Sequence, residues 1–330
     1  MRRHLLRLAL PMTAAQLINL LYSVVDRMYL GRLADTGSLA LTAVGVVMPV
    51  ITILTGVAML CGTGGAPLFS IARGGGDDDE AERILGNSFA LLMIFGVVAT
   101  AAVIIFQKQL LYAFGASNET YPFASSYLTI YTTGTIFVMI SLGMNPFINA
   151  QGAARRGMIT VAIGAVINIV LDPVFIFALD LGVRGAALAT VIAQLCSAVW
   201  ALSFLCGRRA VCRLRLSRLR LKAARVKRIL TLGLSGFVMS MTTSLVQIVC
   251  NRTLQIYGGD LYVGIMTIVN LLREIIFVPI SGLNNSMTPV LGYNYGASLP
   301  GRVRQGIRFS ILLTIAYMFV MWTLVMGVPG

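Results

Sequence analysis

Residues 159–172 read ITVAIGAVINIVLD, an apolar run long enough to belong to a membrane-crossing helix yet carrying two polar side chains, Asn168 and Asp172. Four residues apart, these two share one face of a helix. A carboxylate inside such a run is costly and needs a reason for being there. A second acid, Asp26, occupies an equivalent place in the N-terminal apolar stretch. The two acids are therefore where function is sought.

Working outward, 57% of the 330 residues are hydrophobic and only 12% are charged. With repeated apolar runs of about 20 residues, that composition describes an all-α polytopic membrane protein. A barrel would need short alternating strands, and these runs are continuous. Nine spans are predicted, over 8–30, 42–69, 87–106, 121–143, 158–179, 186–206, 229–256, 261–283 and 309–328. The first follows MRRHLLR but is too long for a signal peptide and lacks a small-residue cleavage site, so it reads as a retained helix with Pro11 in its first turns. Five cysteines scattered through spans and one basic loop suggest neither a metal cluster nor a disulfide framework, and no cofactor is expected.

Lysine and arginine accumulate on the cytoplasmic side of spans. Here Arg2, Arg3 and Arg7, then Arg73, Arg83, Arg155, Arg156, Arg302, Arg304 and Arg308, fall with the N-terminus and the even loops. The ten basic residues from Arg208 to Arg228 join them and account for much of the net charge of +14. The N-terminus is therefore expected inside a multi-pass plasma-membrane protein. The run RRAVCRLRLSRLRLKAARVKR reads as a topology-setting cytoplasmic linker, carrying an amphipathic helix on lipid headgroups rather than a nucleic-acid site.

The linker is also a seam. YSVVDRMYLG, with Asp26 and Arg27, is echoed by QIVCNRTLQIYG, with Asn251 and Arg252, 225 residues later. PLFSIARG at 67–74 is echoed by PVLGYNYG at 289–296, 222 residues later. Such internal repeats are the usual build of secondary transporters. The reading gives an N-terminal lobe over 1–206 with six spans, a linker over 207–228, and a partial C-terminal lobe over 229–330 with three spans. Repeat symmetry leads us to expect a complete protein of about 12 spans.

Gln16, Asn19 and Ser23 draw a polar stripe leading to Asp26, and the seventh span carries Gln247 and Asn251 on its counterpart. Asn270 and Glu274 add a polar pair to the eighth span, with Glu274 able either to attract a cationic substrate or to form a local ion pair. Burial disfavours a charged carboxylate, and a second one nearby adds to that cost, so Asp26 and Asp172 are expected to exchange a proton as a pair. Sodium would suit the same oxygens, and the residues alone do not choose between the two ions.

LPMTAAQLINLLYSVVDRMYLGRL, GGGDDDEAERILGN, INIVLDPVFIF, GVRGAALATVIAQ and TPVLGYNYGA, in this order, resemble the multidrug and toxic compound extrusion (MATE) family, in particular its DinF-like and MepA-like bacterial branch. The resemblance implies a MATE-type fold of two helical lobes related by a pseudo-twofold axis, the second incomplete in this chain. It also implies export of organic, usually cationic compounds, driven by protons or sodium. Carried over residue by residue, it assigns a cation site to Asp26, Asn168, Asp172, Thr190 and Tyr127, with Asp26 and Asp172 as the ligands if sodium is the ion, and a helix bend to Pro11. One departure is that relatives often have Gln just before the proline after the eighth span, where this chain reads Ser286, Met287, Thr288, Pro289. The partners implied are small organic molecules and membrane lipid, with no nucleic acid, for a monomer. Two rivals remain: a lipid-linked precursor flippase, which would need a strongly cationic cavity for its pyrophosphate, and a membrane enzyme, for which no catalytic constellation appears within the spans.

Overall fold

The computed structural model describes residues 2–31 and 37–327; the side chains of 2–4, 27, 30, 31, 37, 38, 243, 244, 247, 248, 251, 252, 255, 256, 258–265, 267, 268 and 271 lie outside that description. Its elements are α1 (Arg2–Gly31), α2 (Gly37–Gly74), α3 (Asp78–Ala113), α4 (Tyr121–Thr133), α5 (Thr135–Ala150), α6 (Ala154–Pro173), α7 (Gly182–Cys206), α8 (Ala223–Gly296) and α9 (Pro300–Gly327). A π-helical turn, Val174–Ala178, continues α6, and a 3-10 turn, Leu216–Arg218, lies in the linker. Among the described residues every regular element is helical, as the composition requires. Backbone groups in hydrocarbon must be satisfied within their own segment.

Among the described residues, six helical stretches are long and apolar enough to cross a membrane, and α4 with α5 makes a seventh, broken span. The fourth span predicted over 121–143 thus contains a bend of 58° between α4 and α5. The break falls at Gly134, where α7 comes too close for any side chain. A Cβ placed there would lie 2.6 Å from Val191 Cγ2.

The two spans predicted over 229–256 and 261–283 fall within one stretch of helical backbone. Helical backbone runs without a loop from Ala223 to Gly296. A straight helix of 74 residues would measure about 110 Å. Yet Gly233 packs beside Leu60 and Gly292 beside Ser70, both on α2 and only ten residues apart. The path of α8 therefore doubles back, and its two arms flank α2.

Van der Waals contact, not burial from water, holds such helices together, and small residues permit the closest approach. An added Cβ at Gly64 would meet Gly233 N at 2.8 Å, so α2 and the first arm of α8 touch backbone to backbone. On its other side α2 packs Phe69 edge-on against Phe147 of α5, at 5.6 Å between centroids and with both rings fully buried.

The linker takes a form the sequence reading did not anticipate. Its helical content between Gly207 and Lys222 is the three-residue turn at Leu216–Arg218, in place of an amphipathic helix. The chain is instead strapped to the start of α3. Asp77 caps that helix by accepting from Glu80 N at 2.8 Å, and Asp78, Asp79 and Glu80 fill its first turn, where the helix dipole favours negative charge. Those acids then meet the linker's arginines. Arg225 grips Glu80 through two bonds, Nε to Oε1 at 2.7 Å and Nη2 to Oε2 at 2.5 Å. Arg218 pairs with Asp79, and the nearly buried Glu82 accepts from Arg213 N at 3.1 Å. Asn87 donates to Arg220 O at 3.0 Å and accepts from Lys222 N at 3.0 Å.

Candidate functional site

Asn168 and Asp172 stand one turn apart at the end of α6, 1% and 0% exposed. Asn168 Nδ2 donates to Asp172 Oδ1 at 3.2 Å and to Thr190 Oγ1 on α7 at 3.3 Å. Thr190 in turn donates to Ala186 O at 3.0 Å, which fixes its hydroxyl. Asp26, half-buried on α1, brings its carboxyl into electrostatic reach of Asp172. Tyr127 on α4 is buried close to Thr190 and Asp26. All five residues assigned to the cation site thus converge from four helices.

Two oxygens in this cluster, Asp172 Oδ2 and Asn168 Oδ1, are buried without a hydrogen-bond partner in the protein. Leaving such groups unsatisfied costs roughly 1–3 kcal/mol each. Unpaired carboxylate and amide oxygens beside a hydroxyl form a hard donor set suited to a proton or an alkali cation. Among the described residues, no group of three or more His, Cys, Asp and Glu is placed to hold a metal ion, so the oxygens here are two carboxyls supported by an amide and hydroxyls.

The reading of the sequence missed two members of the cluster. Tyr22, one turn before Asp26, lies close to Thr190, and Tyr131 stacks on Tyr127 with 6.2 Å between centroids and 14° between planes. The signal was available: Tyr22 lies at i−4 from Asp26, and Tyr131 at i+4 from Tyr127.

A cavity of about 280 Å³ opens from this cluster, and Asn168, Thr190 and Tyr22 belong to its wall. Gln16 and Asn19 line it as expected, whereas the α1 lining stops at Tyr22 and leaves out Ser23. Gln247 and Asn251 lie outside the described residues. Asn270, half-buried, and Glu274, exposed, are not among the residues lining this cavity. The second arm of α8 reaches the cavity further along, through Asn285, Thr288 and Pro289. Asn270 lies fifteen residues before Asn285, about 22 Å of helix, and so stands clear of it. Further polar lining comes from Ser141, Asn145 and Asn149 on α5 and from Gln194 and Ser197 on α7, spaced by threes and fours and thus one stripe per helix. Among the described residues the lining carries no charged side chain. Pro11 is buried within α1, which stays helical through it.

A bundle of apolar helices around a polar cavity, with a buried acid pair at its edge, defines a multi-pass membrane protein of the transporter class. The MatE family model matches residues 11–174 and 236–329, and the chain belongs to that family. It is 26% identical over 318 residues to the multidrug export protein MepA of Staphylococcus aureus (strain NCTC 8325 / PS 47), covering 96% of this chain and 69% of that one. A crystal structure of a MATE protein in complex with MaD3S matches with a TM-score of 0.92 and 25% identity, over 98% of this chain and 72% of the other. An outward-facing multidrug resistance MATE transporter matches with a TM-score of 0.91 at 24% identity, over 98% and 71%, and supports the fold alone. The expected MATE-type helical fold is the one observed.

Proposed function

We propose that this chain exports organic, mainly cationic compounds in exchange for a proton or sodium ion, by alternating access. The observation that carries the reading is Asp172: it is fully buried, one of its oxygens is held by Asn168 and the other has no protein partner, and the Asp26 carboxyl faces it from a different helix. A cation seated there binds α6 to α1; its departure leaves two acids that cannot both stay charged at close range.

The same helix α1 carries Gln16, Asn19 and Tyr22 in the cavity wall, so occupation of the acid pair and occupation of the cavity act on one element. Asn168 and Thr190 belong to both places. Competition between cation and substrate for these shared side chains supplies the exchange, since a ligand shifts a conformational equilibrium only through differential affinity. Pro11 gives α1 a point at which a bend costs little hydrogen bonding. With sodium as the co-transported ion, Asp26, Asn168, Asp172 and Thr190 offer the oxygens. The relatives' names as multidrug export proteins support the direction and the class of cargo.

The uncharged lining weighs against the flippase reading, because a pyrophosphate needs cationic partners. Proteoliposomes with imposed proton or sodium gradients test the proposal. Gradient-dependent efflux of a cationic dye is expected, and Asp172→Asn should abolish it while leaving the protein folded in the bilayer. Undiminished coupled efflux by that variant removes the role given to Asp172.

A further inference from the structure

The basic linker has a use beyond setting topology. Arg215 and Arg218 are matched to Glu82 and Asp79, and Arg225 to Glu80, so part of the linker's charge serves to hold it against α3. Its position follows from those partners. The strap runs along α3 from Asp79 to Asn87, and Asn87 begins the apolar stretch predicted to enter hydrocarbon. At 36 residues, about 54 Å, α3 exceeds a hydrocarbon core of about 30 Å, so its first turns stand in the headgroup layer and the linker lies with them.

What the strap leaves outward is amphipathic. Leu216 is 86% exposed, Val211 57% and Leu221 44%, an arrangement poorly suited to water. Between and after them Arg220, Lys222, Lys227 and Arg228 are exposed. Arg220 and Lys222 touch Asn87 through backbone atoms, which frees their side chains to point elsewhere. Alternating apolar and basic side chains at headgroup depth fit a surface of anionic lipid, with leucines inserted among acyl chains and cations on phosphates.

We propose that the outward face of residues 211–228 is a docking site for anionic phospholipid headgroups. The carboxylates of α3 act as a template that holds residues 211–222 of this face in non-helical conformation, and the first turns of α8 add Lys227 and Arg228.

The test uses the full chain in nanodiscs of phosphatidylcholine alone or with about 30 mol% phosphatidylglycerol, a membrane of ordinary anionic content. Leu216→Cys carries an environment-sensitive fluorophore, and the labelled unsubstituted chain supplies the background from native cysteines. A blue shift confined to anionic discs and reversed by high salt is expected. Replacing Arg220, Lys222, Lys227 and Arg228 by Gln should abolish the shift at the same phosphatidylglycerol content. Equal emission in both kinds of disc overturns the proposal. So does a shift produced only by an added acidic polypeptide or RNA oligonucleotide, which assigns the face to a soluble partner.

Discussion

At the scale of single residues, the proposed cation site rests on Asn168, whose one amide group holds both Asp172 and Thr190. Asn168→Ala strands a buried carboxylate oxygen and a hydroxyl together, a loss of about 1–3 kcal/mol in a site that must be kept in register. Transport by this variant is expected to fall at least about tenfold, the rate equivalent of 1.4 kcal/mol. Thr190→Ser keeps the hydroxyl and should keep transport, whereas Thr190→Val should not; equal activity of the two would show that the hydroxyl is irrelevant. Cys212 in the linker offers a different readout. Burial, with Asp78 beside it, pushes its thiol from 9.0 up to about 12. Between those values the docked linker retains a proton that an undocked linker has released, so docking weakens as pH rises through the window and is unaffected below it. Maleimide at pH near 8 should therefore modify the exposed Cys206 and spare the buried Cys212, and Glu80→Gln, which loosens the strap, should make Cys212 reactive. Mass spectrometry of the labelled chain decides; equal labelling of both cysteines in the unsubstituted protein contradicts the burial argument.

At the scale of elements, the bend at Gly134 allows one span to serve two ends of the site. α4 brings Tyr127 and Tyr131 to the acid pair, and α5 turns away to bring Ser141, Asn145 and Asn149 into the cavity. Gly134 faces Val191, the neighbour of Thr190. Gly134→Val would overpack this contact, with a cost of about 1–3 kcal/mol and displacement of the Thr190 hydroxyl. Its expected signature is a weakened proton or sodium dependence of transport together with a lower melting temperature; a variant as stable and as well coupled as the parent would disprove the crowding. The bend was not legible in the sequence, because a glycine in an apolar run reads equally as a small packing residue, and only the approach of α7 makes it a break. The acid pair was legible for the opposite reason: a carboxylate in hydrocarbon has few structural excuses, so Asp26 and Asp172 declare themselves. Glu274 carried the same signal and stands exposed outside the cavity lining, which marks the limit of reading an acid without its surroundings. The linker misled in a related way. Its periodic leucines and arginines suggested a helix, but the carboxylates of α3 satisfy its backbone and side chains in an extended path.

At the scale of the whole molecule, the two halves meet where α2 is clasped by both arms of α8. Gly64 lies against Gly233 on one arm, and Gly292 against Ser70 on the other, with the Arg73 guanidinium 6.0 Å from the Tyr293 ring centroid nearby. These contacts pack the second half of α2, toward the end that leads into α3, against α8. The alternating access proposed above requires that this packing open, because backbone-to-backbone contact leaves no path for a substrate. A covalent tie across it should therefore stop the cycle. A Cβ at Gly292 would fall 2.9 Å from Ser70 Cβ, within a shift of about 1 Å of the separation a disulfide prefers. Ser70→Cys combined with Gly292→Cys should cross-link on mild oxidation, lose transport in proportion to the fraction cross-linked, and regain it with reductant. Each single variant should transport under the same oxidation, separating the tie from the crowding that a side chain at Gly292 introduces. Transport that persists in a fully cross-linked sample would mean that this end of the molecule stays shut throughout the cycle, and the halves would then have to part along some other seam.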